Sequence, residues 1–224
     1  MSSHLTLCNA RLPRWLLAAL GQRSEMPLSR LEIANGRIAA IGAETPGLPR
    51  SFGSQVWDLQ GALVLPTMVD AHLHLDKAFT LERMGPVKPG LLAAIEAMMV
   101  DKQNWTAADV RRRAGQGLQW AYEAGVSHAR SHCDWWEPDS VPVAWEVLRE
   151  LAQEWAGRVL LERVSLIPLH LYEERGMAMR LAKQVALSGA GALLGGFVHS
   201  TNWSPQALRN LLEAAQQHGL DVDL

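Results

Sequence analysis

Two histidines separated by one residue, His72 and His74, are the first side chains in this sequence whose types and spacing suit chemistry. They follow the apolar run 62–65, and on a β-strand residues i and i+2 point to the same face. Both imidazoles can then offer a nitrogen to one point, which suits half of a transition-metal site. The alternative is that the rings are simply packed or hydrogen-bonded, because so short a motif often occurs by chance. Polar Asp76 and Lys77 follow where a parallel strand would open into an active-site loop, and this context favours the metal site.

A second candidate strand, residues 126–134, has one polar face and one face of small residues. The polar face carries, at alternate positions, His128, Arg130, His132 and Asp134. This pattern fits a barrel strand whose polar face points inward and whose small residues lie under a helix. For His128 and Arg130 we favour an interior network that only holds the barrel together. His132 and Asp134 lie nearest the catalytic end of the strand, where lining a site and a structural role are equally open.

Other candidates follow the ends of later strands. His199 ends the strand predicted over 192–199, and it can be a substrate contact, a support for a ligand or a structural residue. Three tryptophans at helical spacing are most simply core residues: Trp120, Trp145 and Trp155. Three others follow strand ends, where they can stack on a flat heteroaromatic substrate or pack on the rim of the fold: Trp135, Trp136 and Trp203.

The elements that must position these residues alternate from about residue 64 onward as strand, helix, strand, helix. This is the pattern of parallel β/α units. Thr106 with Asp109 three residues later predicts a helix start, and Ser204 followed by Pro205 predicts another. The predicted strands are 126–134, about 159–168, 192–199 and the beginning of a fifth at 221–224. The predicted helices end at or near Gly125, Gly157, Gly189 and Gly219.

Residues 4–65 have a different pattern, that of short strands joined by turns. Residues 29–33 alternate clearly, and Asn35-Gly36 predicts a tight hairpin turn. Residues 15–20 are compatible with either a strand or one helical turn. We therefore expect two domains, a small β unit over 1–63 and a β/α unit over 64–224.

The stretch V-L-P-T-M-V-D-A-H-L-H-L-D-K, residues 64–77, resembles the first barrel strand of the amidohydrolase superfamily. Its H-L-D-K-A-F form resembles the cytosine deaminase-like branch, which includes triazine-ring amidohydrolases. Other segments agree in order, and the resemblance covers essentially the whole chain: 9–13, 36–42, 128–134 and 194–199.

This resemblance implies an α/β fold: an incomplete TIM (β/α)8 barrel of the metal-dependent hydrolase type, preceded by part of a small β-sandwich. A complete barrel has eight units and about 250 residues, whereas four units and the start of a fifth are present here. Four units also suit an open doubly wound sheet, but the resemblance favours the barrel. In the family a third metal histidine, a catalytic Glu and a metal-binding Asp come later, so we expect the catalytic residues beyond Leu224.

The resemblance also implies a reaction. His72 and His74 would bind one divalent metal ion, Zn²⁺ or Fe²⁺, which lowers the pKa of its bound water and supplies hydroxide. The hydroxide would attack a ring carbon that bears an amine, in a cyclic amidine such as a pyrimidine or a triazine. The strand 192–199 contains no Lys, Glu or Cys, and the bridging Lys of two-metal relatives is therefore absent. One metal ion is expected.

Substrate contacts are expected from residues at the carboxyl ends of the strands: Lys77, His132, Asp134, His170 and His199. Cytosine deaminases read the pyrimidine edge with a Gln where this chain has Leu169, which cannot make two amide hydrogen bonds. Cytosine is therefore a doubtful substrate, although His170 can substitute. Lys77 stands where cytosine deaminases have Thr, and it matches the triazine-type relatives.

Two other functions stay open at this point. One is ring opening of a cyclic amide, as in hydantoinases and dihydroorotases, against which the missing Lys argues. The other is a non-catalytic truncated fragment, since only two of the family's metal ligands are present and a zinc site normally needs three protein ligands. We expect this chain alone to be inactive.

Composition narrows the class of partner. The formal net charge is −2 and the basic residues are scattered, which argues against nucleic acid. Cys8 and Cys133 lie far apart without a disulfide framework, which fits a reducing cytoplasm. The start of the chain lacks the features of a signal peptide, and the apolar runs are too short for a membrane span. A small heterocyclic molecule is the expected ligand, and a homo-oligomer is compatible with the sequence.

Overall fold

The computed structural model describes residues 4–22, 27–45 and 55–224. The chain divides into two compact units, Met1–Pro66 and Thr67–Leu224, whereas the sequence pattern places the boundary between residues 63 and 64. The difference arises because the segment before Pro66 still pairs with the first unit. The N–H of Arg11 donates to the carbonyl of Ala62 at 2.9 Å, and the N–H of Val64 donates to the carbonyl of Arg11 at 2.9 Å.

In its described residues, 4–22, 27–45 and 55–66, the first unit forms a four-stranded sheet and one short helix. Its elements are β1 (His4–Ala10), α1 (Arg14–Ala19), β2 (Ser29–Ala34), β3 (Arg37–Ala43) and β4 (Gln55–Asp58). The strand order is β3-β2-β1-β4, and β1 and β4 are parallel while the other pairs are antiparallel. Asn35 and Gly36 have φ angles of 52° and 72°, as the predicted hairpin turn requires. The segment 15–20 is mostly helical, and Leu17 is buried against Leu31.

The second unit is a curled, five-stranded parallel half-barrel, which confirms the predicted fold class. Its strands lie in chain order: β5 (Met68–Leu73), β6 (Val126–Asp134), β7 (Leu160–Pro168), β8 (Ala192–Phe197) and β9 (Val222–Asp223). Its helices are α2 (Leu81–Met84), α3 (Leu91–Lys102), α4 (Ala107–Glu123), α5 (Val143–Glu154), α6 (Arg175–Leu187) and α7 (Pro205–His218). A 3-10 helix, Leu169–Tyr172, follows β7. Within the three described ranges, every helix falls short of the length or the apolar character that a membrane crossing demands.

The predicted helix starts are confirmed at atomic detail. The Thr106 hydroxyl accepts a hydrogen bond from the Asp109 N–H, and the Ser204 hydroxyl accepts one from the Ala207 N–H, both at 3.2 Å. Such side-chain caps typically stabilise a helix by about 1 kcal/mol. Helix α7 ends at Gly219 with a left-handed φ of 64°, a conformation that glycine adopts without steric penalty.

One tryptophan prediction is wrong. Trp120 was predicted to be core, but it is 57% exposed. The centroids of the Trp120 and Phe79 rings are 4.9 Å apart in a T-shaped arrangement. The buried stripe of α4 includes Val110, Ala114 and Leu118, and a residue two positions after Leu118 lies on the opposite side of a helix. By contrast, Trp145 is fully buried as predicted.

Close packing between β7 and β8 depends on Gly195. A Cβ atom at this position would lie 2.5 Å from the Ser165 carbonyl oxygen and 2.5 Å from Cγ1 of Val164. Backbone atoms cannot move aside as the end of a flexible side chain can. The missing side chain therefore sets the spacing of these two strands.

Replacing Gly195 with Ala should lower the free energy of unfolding by about 1–3 kcal/mol, the usual cost of overpacking a core. Gly42→Ala is the matched control, because Gly42 also lies in a strand and a Cβ there meets nothing within 4 Å. Urea denaturation of both variants measures the difference. Equal stabilities of the two variants would contradict the packing argument.

Candidate functional site

The segment after β5 is fixed by side chains from α4 and β6. The fully buried Arg113 donates through Nη1 to the carbonyls of Asp76 at 2.6 Å and Ala78 at 2.9 Å. The N–H of Leu75 donates to Oγ of Ser131 at 3.0 Å. These bonds replace the strand ladder where β5 ends, and they hold the backbone that carries the candidate site.

Three imidazoles meet near the carboxyl ends of β5 and β6. The ring centroids of His72 and His74 are 5.1 Å apart, and that of His132 lies 3.9 Å from His72 in a stacked arrangement. The side chain of His72 is exposed, whereas His132 is 2% exposed. The two residues of the H-x-H motif are therefore brought together, and His132 lies against them rather than facing solvent.

The hydrogen bond of His74 selects its tautomer. Its Nδ1 lies 2.8 Å from the carbonyl oxygen of His132, and a carbonyl can only accept, so Nδ1 carries the proton. Nε2 then keeps a free lone pair, the form in which histidine binds metals. Burial, helped by the positive charge of Lys77, lowers the pKa of His74 to about 4.

Two carboxylates and one ammonium lie beside the imidazoles. Nζ of Lys77 is 2.7 Å from Oδ1 of Asp134, and the Asp134 N–H donates to Oδ2 of Asp76 at 3.0 Å. Burial, together with the neighbouring Asp134 carboxylate, raises the pKa of Asp76 well above its ordinary range. The fully buried Asp76 thus supports the turn, while the ion pair of Lys77 and Asp134 faces the cleft described next.

A cleft of about 290 Å³ opens at these residues. Its polar wall is formed by His72, His74, Lys77 and Asp134. Its apolar wall includes four residues of α3 and three from the ends of other elements: Leu91, Ala94, Ile95, Met98, Trp136, Leu166 and Phe197. The cleft therefore combines convergent polar groups with flat aromatic surfaces, which is the usual character of a small-molecule site.

A second cleft, of about 340 Å³, shares Ile95, Trp136 and Phe197 with the first. It contains both later candidates, His170 and His199. The Phe197 and His199 rings are nearly parallel, 9° apart, with centroids separated by 6.2 Å. The two histidines therefore border a neighbouring cleft, away from the imidazole cluster.

Leu169, the position at which the resemblance implies a Gln in cytosine deaminases, is a core residue. Leu169 is fully buried in the 3-10 helix that follows β7, and a Cβ on Gly196 would lie 3.9 Å from its Cδ1 atom. It lines neither cleft. His170, one residue later, is exposed and faces the second cleft instead.

The inward face of β6 carries the ionic network expected for His128 and Arg130. Arg130 donates to Glu162 and to Asp223, both at 2.8 Å. Nε2 of His128 is 3.4 Å from a Glu162 oxygen, and Nε2 of His132 is 3.1 Å from Oδ1 of Asp223. Sequence reasoning missed Asp223 as a partner, although its place on the fifth strand puts it on the same inner surface.

Known proteins resemble this chain in sequence and in structure. No family model matches the chain. The chain is similar to the pterin deaminase of Rhizobium rhizogenes (strain K84 / ATCC BAA-868), with 34% identity over 168 residues that cover 75% of this chain and 38% of the relative. It is also similar to the solved structure of 5-methylcytosine deaminase from Klebsiella pneumoniae, with a TM-score of 0.71 and 26% identity, covering 97% of this chain and 50% of that one. These relatives are enzymes of the amidohydrolase superfamily, and the chain resembles them.

A further amidohydrolase neighbour shares the fold at lower identity. N-isopropylammelide isopropylaminohydrolase from Burkholderia multivorans ATCC 17616 has a TM-score of 0.70 and 22% identity, over 98% of this chain and 52% of that one. The chain thus spans 38% of the length of its curated relative and about half of these solved chains. The resemblance stated from the sequence is confirmed at the level of the superfamily.

The imidazoles of His72 and His74 are donors of the type that a divalent metal ion binds. His74 presents an unprotonated Nε2, and His72 is exposed beside it. Within residues 4–22, 27–45 and 55–224, no group of three or more His, Cys, Asp and Glu side chains is arranged to hold a metal ion. The described residues therefore offer two imidazole donors here, fewer than the three or four protein ligands of a usual zinc site.

The lowered pKa of His74 predicts a specific pH dependence. In the unfolded chain this histidine gains a proton near pH 6.5, whereas in the folded chain it stays neutral until about pH 4. Because the unfolded chain binds this proton first, the free energy of unfolding should fall as the pH falls from about 6.5 towards 4. Nuclear magnetic resonance titration of the His74 ring should give a midpoint near pH 4. Lys77→Met should raise that midpoint, because it removes a nearby positive charge, and an unchanged midpoint in this variant would contradict the assigned cause.

Proposed function

We propose that the protein carrying this chain is a metal-dependent hydrolase that removes an amino group from a flat nitrogen heterocycle. One observation carries the proposal: the adjacent imidazoles of His72 and His74 open into a cleft whose other walls include Trp136 and Phe197. The names of the relatives support the reaction class, since they include a pterin deaminase and a 5-methylcytosine deaminase.

The proposed reaction is a hydrolysis. When bound, a divalent ion lowers the pKa of water towards neutrality and supplies a nucleophile at physiological pH. The oxygen of water forms a bond to the ring carbon that bears the amine, the carbon–nitrogen bond breaks, and ammonia leaves with a proton taken from that water. The product ring carries a carbonyl group where the amine had been, and the second proton of the water ends on the adjacent ring nitrogen.

The residues of this chain have separate roles in the proposal. His72 and His74 bind the metal ion, whereas Lys77 and Asp134 orient polar substituents of the substrate at the wall of the cleft. The side chains of α3, such as Met98, exclude water from the apolar side. The relatives are about twice as long or more, and we expect the acid–base carboxylate and further metal ligands from residues beyond those present here.

We propose one metal ion per chain, Zn²⁺ or Fe²⁺, because β8 offers no Lys, Glu or Cys side chain as a bridging ligand.

We also propose a cytoplasmic location. Both cysteines are free thiols, Cys133 is buried beneath the sheet, and neither has a partner that would need an oxidising compartment. Neither point depends on the identity of the substrate.

The substrate is proposed to be an amino-substituted ring other than cytosine. Leu169 is buried, so no amide is present at the position that would read the cytosine edge. A larger ring or a substituted one can extend past Trp136 and Phe197 towards His170 and His199. These two histidines are therefore the proposed contacts for the distal part of the substrate.

Ammonia release from a panel of rings tests the function. The protein at its natural full length, loaded with Zn²⁺ or Fe²⁺, is assayed with pterin, guanine, cytosine, 5-methylcytosine and an aminotriazine. We expect cytosine to be turned over poorly relative to at least one other ring. Rapid turnover of cytosine above all the others would contradict the substrate proposal, and no ammonia from any ring would contradict the deaminase proposal.

A matched pair of variants tests the metal assignment in the same protein. His72→Ala should reduce turnover by more than about 100-fold, beyond the range for residues that only support a ligand. His128→Ala is the control, because this histidine contacts Glu162 and lines neither cleft. Metal content is measured alongside activity. Full metal occupancy and activity in His72→Ala would refute the assignment.

This chain alone should hold a metal ion weakly. Two imidazoles leave most of the coordination shell to water, and stable zinc sites use at least three protein ligands. We expect Zn²⁺ to be lost from the purified chain on dialysis against a weak chelator, without deaminase activity. One tightly retained Zn²⁺ per chain, together with turnover, would show that Asp134 or His132 completes the site.

A further inference from the structure

His132 is the one described residue that contacts both proposed metal ligands through different groups. Its ring stacks on the ring of His72, with centroids 3.9 Å apart and planes 27° apart. Its backbone carbonyl accepts the hydrogen bond of His74 Nδ1 at 2.8 Å. Its side chain is 3% exposed and does not line the first cleft, so its position is fixed by packing rather than by a substrate.

The ring of His132 is held from the opposite side of the half-barrel. Its Nε2 lies 3.1 Å from Oδ1 of Asp223, while its Nδ1 is buried and has no hydrogen-bond partner in the described part of the chain. A carboxylate can only accept, so the proton belongs on Nε2. Asp223 is thus the side-chain partner that fixes the ring plane of His132.

Asp223 is itself held in place. Its second oxygen accepts a hydrogen bond from Nη1 of Arg130 at 2.8 Å, and Arg130 also binds Glu162 at 2.8 Å. Burial raises the pKa of Asp223, but the bonds from His132 and Arg130 outweigh that effect and lower it, so the carboxylate stays charged. The ionised carboxylate is the form that fixes an imidazole most strongly.

The curvature of the sheet makes this contact possible. Asp223 lies on β9, three strands from β6, and its backbone neighbour across the ladder is Gly195. Gly195 lies two residues before Phe197, which lines the cleft, and therefore belongs to the same inner face of β8. Because Gly195 has no side chain, the β8 residue that pairs with Asp223 places no side chain between Asp223 and β6.

We propose that His132 and Asp223 are positioning residues that set the orientation of the metal-binding imidazoles, with Arg130 fixing the carboxylate. The inference rests on the proposed function, since it assigns supporting roles to a pair proposed as ligands. It differs from the sequence-based expectation that His132 contacts the substrate. Asp223 fixes the ring of His132 by a hydrogen bond, and that ring fixes the plane of the His72 ring by stacking. The backbone carbonyl of His132 fixes the ring of His74 by accepting its Nδ1–H hydrogen bond.

The test follows histidine tautomers in the metal-free chain. Long-range proton–nitrogen correlation spectra of chain labelled with ¹⁵N in its histidine rings distinguish Nδ1–H from Nε2–H. Wild-type chain should show His132 as the Nε2–H tautomer and His74 as the Nδ1–H tautomer. Asp223→Asn should remove the preference at His132 and also shift the ring signals of His72 and His74. Asp221→Asn, a change of the same type at an exposed position beside β9, should leave all three rings unchanged.

Zn²⁺ binding gives a second measurement on the same variants. Asp223→Asn should weaken Zn²⁺ binding about tenfold or more relative to Asp221→Asn, the range found for residues that orient ligands. Arg130→Gln keeps the carboxylate but frees it, and should move the His72 and His74 signals in the same direction by less. This variant decides the question if Asp223→Asn does not fold.

The outcomes separate this inference from the proposed function. If His132 alone responds to the loss of Asp223, while His72, His74 and Zn²⁺ affinity match the Asp221→Asn control, the positioning proposal is overturned. Unshifted His72 and His74 signals in Arg130→Gln, when Asp223→Asn is unfolded, overturn it equally. If wild-type protein binds no Zn²⁺ at these histidines but their metal-free signals still depend on Asp223, the positioning role stands and the metal assignment fails.

Discussion

The candidate site depends on strand β6 more than on the strand that carries its two histidines. Residues 74–77 are tied to β6 by three groups: the hydroxyl of Ser131, the carbonyl of His132 and the carboxylate of Asp134. The alternation of a strand makes this possible, because backbone groups and side chains of successive residues point in different directions. Inward-facing residues of β6 form the charged network, whereas outward-facing residues such as Ala129 and Cys133 are buried in the hydrophobic core.

Two arginines of the second unit show how buried or half-buried charges are paired. Arg130 lies between Glu162 and Asp223, and the buried Arg113 binds Asp109 at 2.9 Å as well as two carbonyl groups. Removing one member of a buried pair leaves an uncompensated charge, which costs about 3–5 kcal/mol. These pairs therefore constrain geometry more than they add stability, and the site benefits from that constraint.

The sequence predicts the parts of this structure that follow from local chemistry. Capping by Thr106 and Ser204, the Asn35-Gly36 turn and the two faces of β6 depend on neighbours a few residues apart. Helix α3 escaped prediction because its first ten residues, 91–100, are apolar except for Glu96, so they show no polar face and no capping side chain. The helix nevertheless forms one wall of the cleft.

Other features depend on contacts that no local pattern carries. The pairing of His132 with Asp223 joins residues 91 positions apart, and it requires the sheet to curl before the two can meet. The burial of Leu169 and the exposure of Trp120 likewise depend on where the 3-10 helix and α4 pack. Residue types at the strand ends indicate where the site lies, whereas the hydrogen bonds and ring contacts within the site depend on the fold.

The long separations also determine when the site can form during folding. Leu75 and Ser131 are 56 residues apart, and His74 and His132 are 58 apart, with α2, α3 and α4 in between. Closing such a loop loses chain entropy before any of these hydrogen bonds is gained. The capped helices can form from local interactions, but the imidazole cluster cannot exist until β5 and β6 have paired and Arg113 has docked. The imidazole cluster therefore depends on contacts between residues 56 to 58 positions apart, whereas each capped helix start depends on a contact across three residues.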